Sequence, residues 1–525
     1  MSANLIGAIA PTDINSAADD LGDDVMADFM AVARDWPNLP AVVHNGCALT
    51  YQDLAERVRC AASYYRRHRT DSCAGPLIGA LVSHTPAVAE HILGILHAGA
   101  AYCPIDATLP DVRKEALAEV LGLDRLHAAV GDPRGATDLP VEVVGGQCET
   151  AGIDRAHSAP RSSDPAYVLC TSGSTGTPKP VVISRHSLTT TVRALRELFA
   201  IVPQDRVLQF ASLGWDTCLE EILPALTAGA AVVFDDEAHS KSFPRFVRML
   251  AQQNVTVLDL PTAFWHELVL YLHEASASLP DSVRLVVIGG ERVDATRLRQ
   301  WRDLGNTEVM LLNTYGCTET TMITHAVVLA GPDVENDLPA EDSPLGRALP
   351  HVIDHVTEDG ELLVSGPCLA TGYLGLPDRT STGFPVADHG SGPVRWFATG
   401  DIVTRGDGGL LYPRGRIDEQ VKVLGVRVHP AEVEAQLNSH PAVAAAVVMG
   451  ERRLGQMSLT AYVVVSGAAT AAELKSFLRD RLPSQFVPAR VKFVAALEYT
   501  SSGKVDRAAT QRAAAAAEEN KGADQ

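Results

Sequence analysis

Between two short apolar runs, Ala166-Tyr167-Val168-Leu169-Cys170 and Val181-Val182-Ile183-Ser184, lies the stretch Thr171-Ser172-Gly173-Ser174-Thr175-Gly176-Thr177-Pro178-Lys179. Each run is bounded by turn-forming residues and predicts a strand, so the stretch is a loop between strands. Its glycines let backbone N–H groups approach a ligand closely, its hydroxyls add donors, and Lys179 adds a charge, a combination suited to a polyphosphate. The plainer alternative, a Gly/Ser linker, fits poorly with a Pro-Lys fixed at one end. The pattern is not a Walker A loop, because Gly-x-x-x-x-Gly-Lys-Ser/Thr is absent and a strand, not a helix, follows.

The βαβ rhythm around this loop sets the fold class. A helix is predicted near Val25–Asp35, and a hairpin pairs Ala41–Val43 with Cys47–Thr50 around Asn45-Gly46. A helix follows from Tyr51 to about Arg69, then a strand over Leu77–Val82, a helix over Pro86–Gly99 and a strand over Ala101–Asp106. The alternation runs to about residue 330 and predicts α/β architecture, with mostly parallel sheets sandwiched by helices. After residue 340, short strands and turns, as over Glu361–Val364 and Gly408–Tyr412, predict a β-rich subdomain. Past Asp418 a small α+β unit is expected, with helices near Ala431–Asn438 and Ala471–Arg481 and strands near Val443–Val448 and Leu459–Val465. A helix is expected from Ala508. With 525 residues one core is not enough, and the division expected is 1–417 and 418–525.

A formal net charge of −20 argues against nucleic acid or an anionic membrane as the main partner. The nine cysteines are scattered and include no Cys-x-x-Cys, which disfavours a disulfide framework or zinc site and fits a reducing cytoplasm. The first twenty residues lack a signal-peptide pattern, and no apolar run is long enough to span a bilayer.

Taken in order, the motifs resemble the adenylate-forming superfamily, and within it the amino-acid adenylation domains of non-ribosomal peptide synthetases. The resemblance covers nearly the whole chain. It rests on Leu49-Thr50-Tyr51, Leu96 through Asp106, the glycine/hydroxyl loop, Asn313-Thr314-Tyr315-Gly316-Cys317-Thr318-Glu319 and Gly360-Glu361-Leu362. It continues through Ala398-Thr399-Gly400-Asp401, Gly415-Arg416-Ile417-Asp418 with Lys422, Leu482-Pro483 with Pro488, and Gly503-Lys504-Val505-Asp506-Arg507. It implies an ATP- and Mg²⁺-dependent ligase. Thr171, Ser172, Gly173, Ser174, Thr175, Gly176 and Lys179 would hold the phosphates. Tyr315 would stack on adenine, with Gly290 and Glu291 along its edge, and Asp401 would take the ribose hydroxyls beside Arg416. Glu319 would hold Mg²⁺, and Lys504 would bridge the substrate carboxylate and the α-phosphate. Thr171, Glu319 and Lys504 form the implied catalytic set, and Asp418 the implied hinge of a mobile C-terminal unit. Singly, Tyr315 reads equally well as core, Asp401 as a turn residue and Lys504 as a solvated charge; their joint order decides.

Asp216 matches the family's aspartate for the substrate amine, and the remaining implied pocket positions are Thr217, Glu220, Asp259, Val287, Gly289, Thr314, Met322 and Ile323, closed by Lys504. Two further acids without cationic partners would be costly to bury, and a cationic substrate side chain would resolve that cost. The set resembles pockets for a diamino acid, best β-lysine, as in streptothricin-like antibiotics, with lysine and ornithine as near competitors. The alternative is that Glu220 or Asp259 points elsewhere or pairs with a buried arginine. Pro180 stands where the family usually has glycine, which removes one N–H from the loop's exit. Val428-His429-Pro430-Ala431-Glu432 leans toward the acyl-CoA ligase branch. With no phosphopantetheine site or condensation motif in the sequence, a free-standing module is expected. Its acceptor would be a separate carrier protein or an amine, and a small activating partner protein is compatible with the pattern. The rival readings are an acyl-CoA ligase and a catalytically silent scaffold of the same fold.

Overall fold

The structure, a computed structural model, describes residues 24–68, 70–72, 75–130, 132, 137–144, 160–172, 178–332, 343–390, 392–453, 456–499 and 505–523. Local chemistry sets many of the element ends. Asp24 caps the helix Val25–Asp35 by accepting from the backbone N–H groups of Met26 and Ala27. The hairpin Pro40–His44/Cys47–Thr50 turns on Asn45 (φ 48°) and Gly46 (φ 84°), left-handed positions that an Asn-Gly pair fills readily. Thr470 and Glu473 form a capping box at the start of the helix Ala471–Arg479.

Two large sheets build the N-terminal part. In the nine-stranded sheet the strands run in space as 347–348, 323–330, 310–316, 285–289, 257–261, 206–208, 231–234, 40–44 and 47–50. Its middle is parallel, and the flanking strands Ile323–Ala330, Arg347–Ala348 and Cys47–Thr50 are antiparallel. An eight-stranded sheet holds Gly75–Val82, Ala101–Asp106 and Pro165–Thr171 in parallel. On Pro165–Thr171, Lys179–Ser184 pairs antiparallel, so the glycine/hydroxyl loop closes a β-hairpin. Antiparallel edges are the main departure from a mostly parallel expectation; some come from hairpins, as at Pro40–Thr50 and Pro165–Ser184, and one from a distant segment, Gly372–Tyr373, laid against Lys179–Ser184.

The helices 25–35, 51–68, 87–97, 185–198 and 217–228 lie between these sheets in one continuous core. Helices 243–252, 262–275 and 295–303 cover the outer face of the nine-stranded sheet. A four-stranded antiparallel sheet (353–356, 361–365, 397–405, 411–416) forms the β-rich part. At Gly408–Tyr412 a tight 3-10 turn over Asp407–Gly409 leads into the strand Leu411–Arg416. Gly408 (φ 62°) and Gly409 (φ 80°) curl the chain there. The smaller C-terminal part packs helices 430–438 and 471–479 with the three-stranded sheet 443–453, 456–465, 490–493. Its short hairpin, Val421–Val423/Val426–Val428, reaches toward the N-terminal part. The helix expected from Ala508 begins at Arg507. No described helix is long and apolar enough to cross a membrane.

Candidate active site

Strand periodicity aims the site. Along Val257–Pro261, Val257 packs in the core between the sheets while Leu258 and Leu260 face the outer helices. Asp259 therefore points inward with Val257. It meets the start of the helix Thr217–Ala228, where the N-cap residue Asp216 and Glu220, four residues apart, share a face. Register sets Pro261, Gly289 and Thr314 side by side at the carboxyl ends of parallel strands, the usual position of a binding crevice in such sheets.

A cavity of about 330 Å³ opens there. Its walls include Asp216, Thr217, Glu220, Asp259, Gly289, Thr314, Met322 and Ile323 at one end and Thr171, Gly290, Glu319, Asp401 and Arg416 at the other. Val287 is not on the wall. It shares a register row with Asp259, but it is fully covered by core packing.

The acids carry the unusual electrostatics. Asp216, Glu220 and Asp259 are each less than a tenth exposed. Among the described residues none has a cationic partner. Asp216 Oδ2 and Asp259 Oδ2 are buried with no hydrogen bond at all. Burial pushes the Asp216 carboxyl up to about 6. Burial pushes Asp259 up to about 7. Glu220 is raised well above the usual range by burial and by its neighbours Asp259 and Asp216. The adjacent Glu221 is equally buried but committed: it accepts from the N–H groups of Phe210 and Ala211 and from Gln209 Nε2.

At the other end, Tyr315 donates its hydroxyl to Asp401 Oδ2 (2.7 Å) and Arg416 Nη1 donates to Asp401 Oδ1 (2.6 Å). Arg416 also holds Asp418 through Nε (2.7 Å). Glu319, 1% exposed, accepts from Tyr373 (3.2 Å) and from Arg427 Nη1 (3.5 Å). No group of three or more metal-binding side chains occurs among the described residues. A lone carboxylate beside a phosphate-sized space still fits Mg²⁺, which takes one or two protein oxygens and fills its shell from phosphates and water. Lys179 lies over the Tyr373 ring, 5.3 Å from its centroid, and its ammonium is pushed down by burial. Thr171 and Ser172 are buried at the loop's start. Gly173, Ser174, Thr175, Gly176 and Lys504 lie outside the described residues. Pro180 pairs opposite Cys170, and its carbonyl accepts from Leu374 N–H.

The hairpin Val421–Val428, of which the sequence motifs name only Lys422 and Val428, is also part of the site. Its tip, Leu424 (φ 52°) and Gly425 (φ 81°), enters the cavity. Gly425 N–H donates to Glu291 Oε1 (2.7 Å), so Glu291 faces the hairpin and is absent from the cavity wall. Ser172 Oγ donates to the Arg427 carbonyl (2.9 Å), and Lys422 Nζ stands 5.6 Å from the Tyr315 ring centroid. Gly290 has φ 91°, and a Cβ there would sit 3.2 Å from Gly425 Cα. The local signal for this arrangement is slight: a turn-forming Leu-Gly between valine-rich runs. Beyond Lys504, Arg507 pairs with Glu434 and Glu419 and lines a neighbouring cavity.

The profile "AMP-binding enzyme" matches residues 29–374, and "AMP-binding enzyme C-terminal domain" matches 432–504. This chain belongs to the AMP-binding enzyme family. The enzyme is therefore an ATP-dependent adenylating ligase, with ATP and Mg²⁺ as its cofactors. It is similar to an isonitrile lipopeptide synthase of Streptomyces coeruleorubidus, 38% identical over 474 residues, 89% of this chain and 32% of that protein. It is also similar to a linear gramicidin synthase of Brevibacillus parabrevis, 33% identical over 92% of this chain and 9% of that protein. The enzyme thus spans a third or less of the length of these curated relatives. Its fold resembles an artificially fused adenylation–PCP di-domain, NpsA-ThdA, from Klebsiella oxytoca (TM-score 0.77, 22% identity, 90% of this chain and 93% of that one). It likewise resembles the amide bond synthetase McbA from Marinactinospora thermotolerans (TM-score 0.77, 23% identity, 93% and 99%).

Proposed function

We propose that this enzyme activates a diamino acid, β-lysine first among the candidates, as its aminoacyl adenylate. The observation that carries the reading is the convergence of Asp216, Glu220 and Asp259 in one cavity, each buried and none of them paired with a cationic side chain among the described residues. Three carboxylates held this way ask for a ligand that brings its own positive charge. Asp216 takes the amine nearer the substrate carboxylate, and Glu220 with Asp259 takes the terminal ammonium. Thr217, Gly289 and Thr314 leave room for a slender methylene chain between them.

In the reaction, a carboxylate oxygen of the amino acid bonds to the α-phosphorus of ATP as the bond to pyrophosphate breaks. Tyr315, Asp401 and Arg416 orient the nucleoside, and the 171–179 loop with Lys179 holds the phosphates. Glu319 would hold Mg²⁺, whose charge would neutralise that of the phosphates. Lys504 reaches the substrate carboxylate and α-phosphate when the unit 418–525 turns about Asp418 relative to 1–417. In the structure the Val421–Val428 hairpin occupies the mouth and Arg507 is held at Glu434. We assign this orientation to the second half-reaction, transfer of the acyl group to an external carrier-protein thiol or an amine. Relatives named as lipopeptide and gramicidin synthases support a peptide-type product, such as a streptothricin-like antibiotic. A small activating partner protein is compatible with this role.

Mass spectrometry of the enzyme's products with ATP, Mg²⁺ and single amino acids tests the reading. The expected result is a diamino-acyl adenylate with AMP formed only when an acceptor is added, holo-carrier protein or amine. An adenylate of a neutral amino acid alone, or a CoA thioester of a simple acid, would overturn it.

A further inference from the structure

The substrate cavity extends past the acids to Phe210, Ala211, His84 and His239, four residues outside every motif of the chain. A row of interacting groups leads there. Glu220 feels the charges of Asp216 and Asp259, and Glu221 that of Asp259. Glu221 accepts from Gln209, which meets His84.

This row fixes a tautomer. Gln209 Nε2 lies 2.7 Å from the Ala211 carbonyl and 3.1 Å from Glu221 Oε2. A carbonyl only accepts, so the amide nitrogen must face it, whatever the protonation of Glu221. Gln209 Oε1 is thereby turned to His84 Nδ1 at 2.8 Å. That oxygen also only accepts, so Nδ1 carries the ring proton and Nε2 of the neutral imidazole keeps a bare lone pair. The His239 ring, centroid 4.3 Å away, supports the imidazole from the side. His84 Nε2 has no hydrogen-bond partner among the described residues.

Resting on the diamino-acid reading, we propose that His84 is a specificity-determining residue of this enzyme, whose Nε2 accepts a hydrogen bond from the substrate's terminal ammonium. An ammonium has three N–H donors. Glu220 and Asp259 supply two acceptors, and His84 completes the set at the cavity's far end. Glu221 and Gln209 are positioning residues that act through the ring's tautomer. The arrangement favours a terminal primary amine at the length of a lysine-type chain and penalises a terminal group without donors.

The test is steady-state ATP–pyrophosphate exchange with β-lysine, lysine, ornithine and norleucine, using wild type, His84→Phe, Gln209→Leu and Glu220→Gln. His84→Phe keeps a ring against His239 and removes the acceptor. Its KM for the preferred diamino acid should rise by roughly ten-fold or more, as expected for losing a hydrogen bond to a charged group, with the KM for ATP unchanged. Gln209→Leu releases the tautomer and should give a smaller rise in the same KM. Unchanged diamino-acid KM in His84→Phe, with Glu220→Gln impaired, would overturn the role of His84 and leave the diamino-acid reading standing. Wild-type exchange with norleucine but no diamino acid would overturn both. An equal loss of ATP and amino-acid affinity in His84→Phe and Gln209→Leu would mark a structural role and also overturn the proposal.

Discussion

Asp216, Glu220 and Asp259 are ionisable groups that burial in the cavity holds against ionisation. A carboxyl whose folded value is raised costs the fold stability progressively as pH climbs from its unfolded value, about 4, through its folded value. With Asp216 at about 6 and Asp259 at about 7, the ligand-free protein should lose stability between about pH 4 and 7 on their account. A diammonium ligand reverses this, so its stabilisation of the protein should grow across the same window. Thermal unfolding at pH 5 and pH 8, with and without the diamino acid, checks this; a ligand shift that shrinks with pH contradicts it. Glu220→Gln removes an unpaired buried acid, so it should raise the unfolding temperature of the ligand-free protein while weakening the diamino acid's KM by roughly ten-fold or more. At the nucleotide end, Tyr315→Phe deletes the 2.7 Å bond to Asp401. It should raise the KM for ATP several-fold while sparing the amino-acid KM, readable in the same exchange assay.

At the scale of elements, the hairpin Val421–Val428 depends on two glycines meeting. Gly290→Ala adds a Cβ 3.2 Å from Gly425 Cα at a φ of 91°, so it should push the hairpin away. The expected outcome is a transfer rate reduced by about ten-fold or more with exchange largely retained, measured as separate half-reactions; equal losses in both contradict it. Elements set by local chemistry are legible in the sequence. Asp24 before an amphipathic run, Asn45-Gly46 between valine-rich strands, and the Thr470/Glu473 box each act within a few residues. Gly408–Tyr412 is legible as a turn passing into a strand, because Gly408 and Gly409 take the left-handed backbone and the apolar Leu411 begins the strand. In the site, the face of Asp259 follows from period two, and Asp216 with Glu220 from helical spacing. The occupation of Glu291 by Gly425, the burial of Val287 and the approach of His84 are not legible. Each is created by packing between segments more than a hundred residues apart, or by core cover that no local pattern records.

For the whole molecule, the two parts are fastened by a buried ion pair. Arg113 Nη1 donates to Glu432 Oε1 at 2.6 Å, with side chains 10% and 1% exposed. Burial pushes the Glu432 carboxyl up, and Arg113 opposes that. Arg113→Leu would leave a buried carboxylate unpaired, a cost of roughly 3–5 kcal/mol in this orientation alone. The population should then move toward other orientations, so that the transfer half-reaction falls while pyrophosphate exchange persists. Equal loss of both would show that the pair serves the fold rather than this orientation.

The central claim is that an acidic cavity selects a substrate with a second amine. Amino-acid-dependent ATP–pyrophosphate exchange across β-lysine, lysine, ornithine, arginine and neutral amino acids tests it most directly, with Glu220→Gln and Asp259→Asn alongside. Strong exchange with a diamino acid, collapsing in both variants, is the predicted result. Exchange confined to neutral amino acids, or diamino-acid exchange untouched by either substitution, would contradict it.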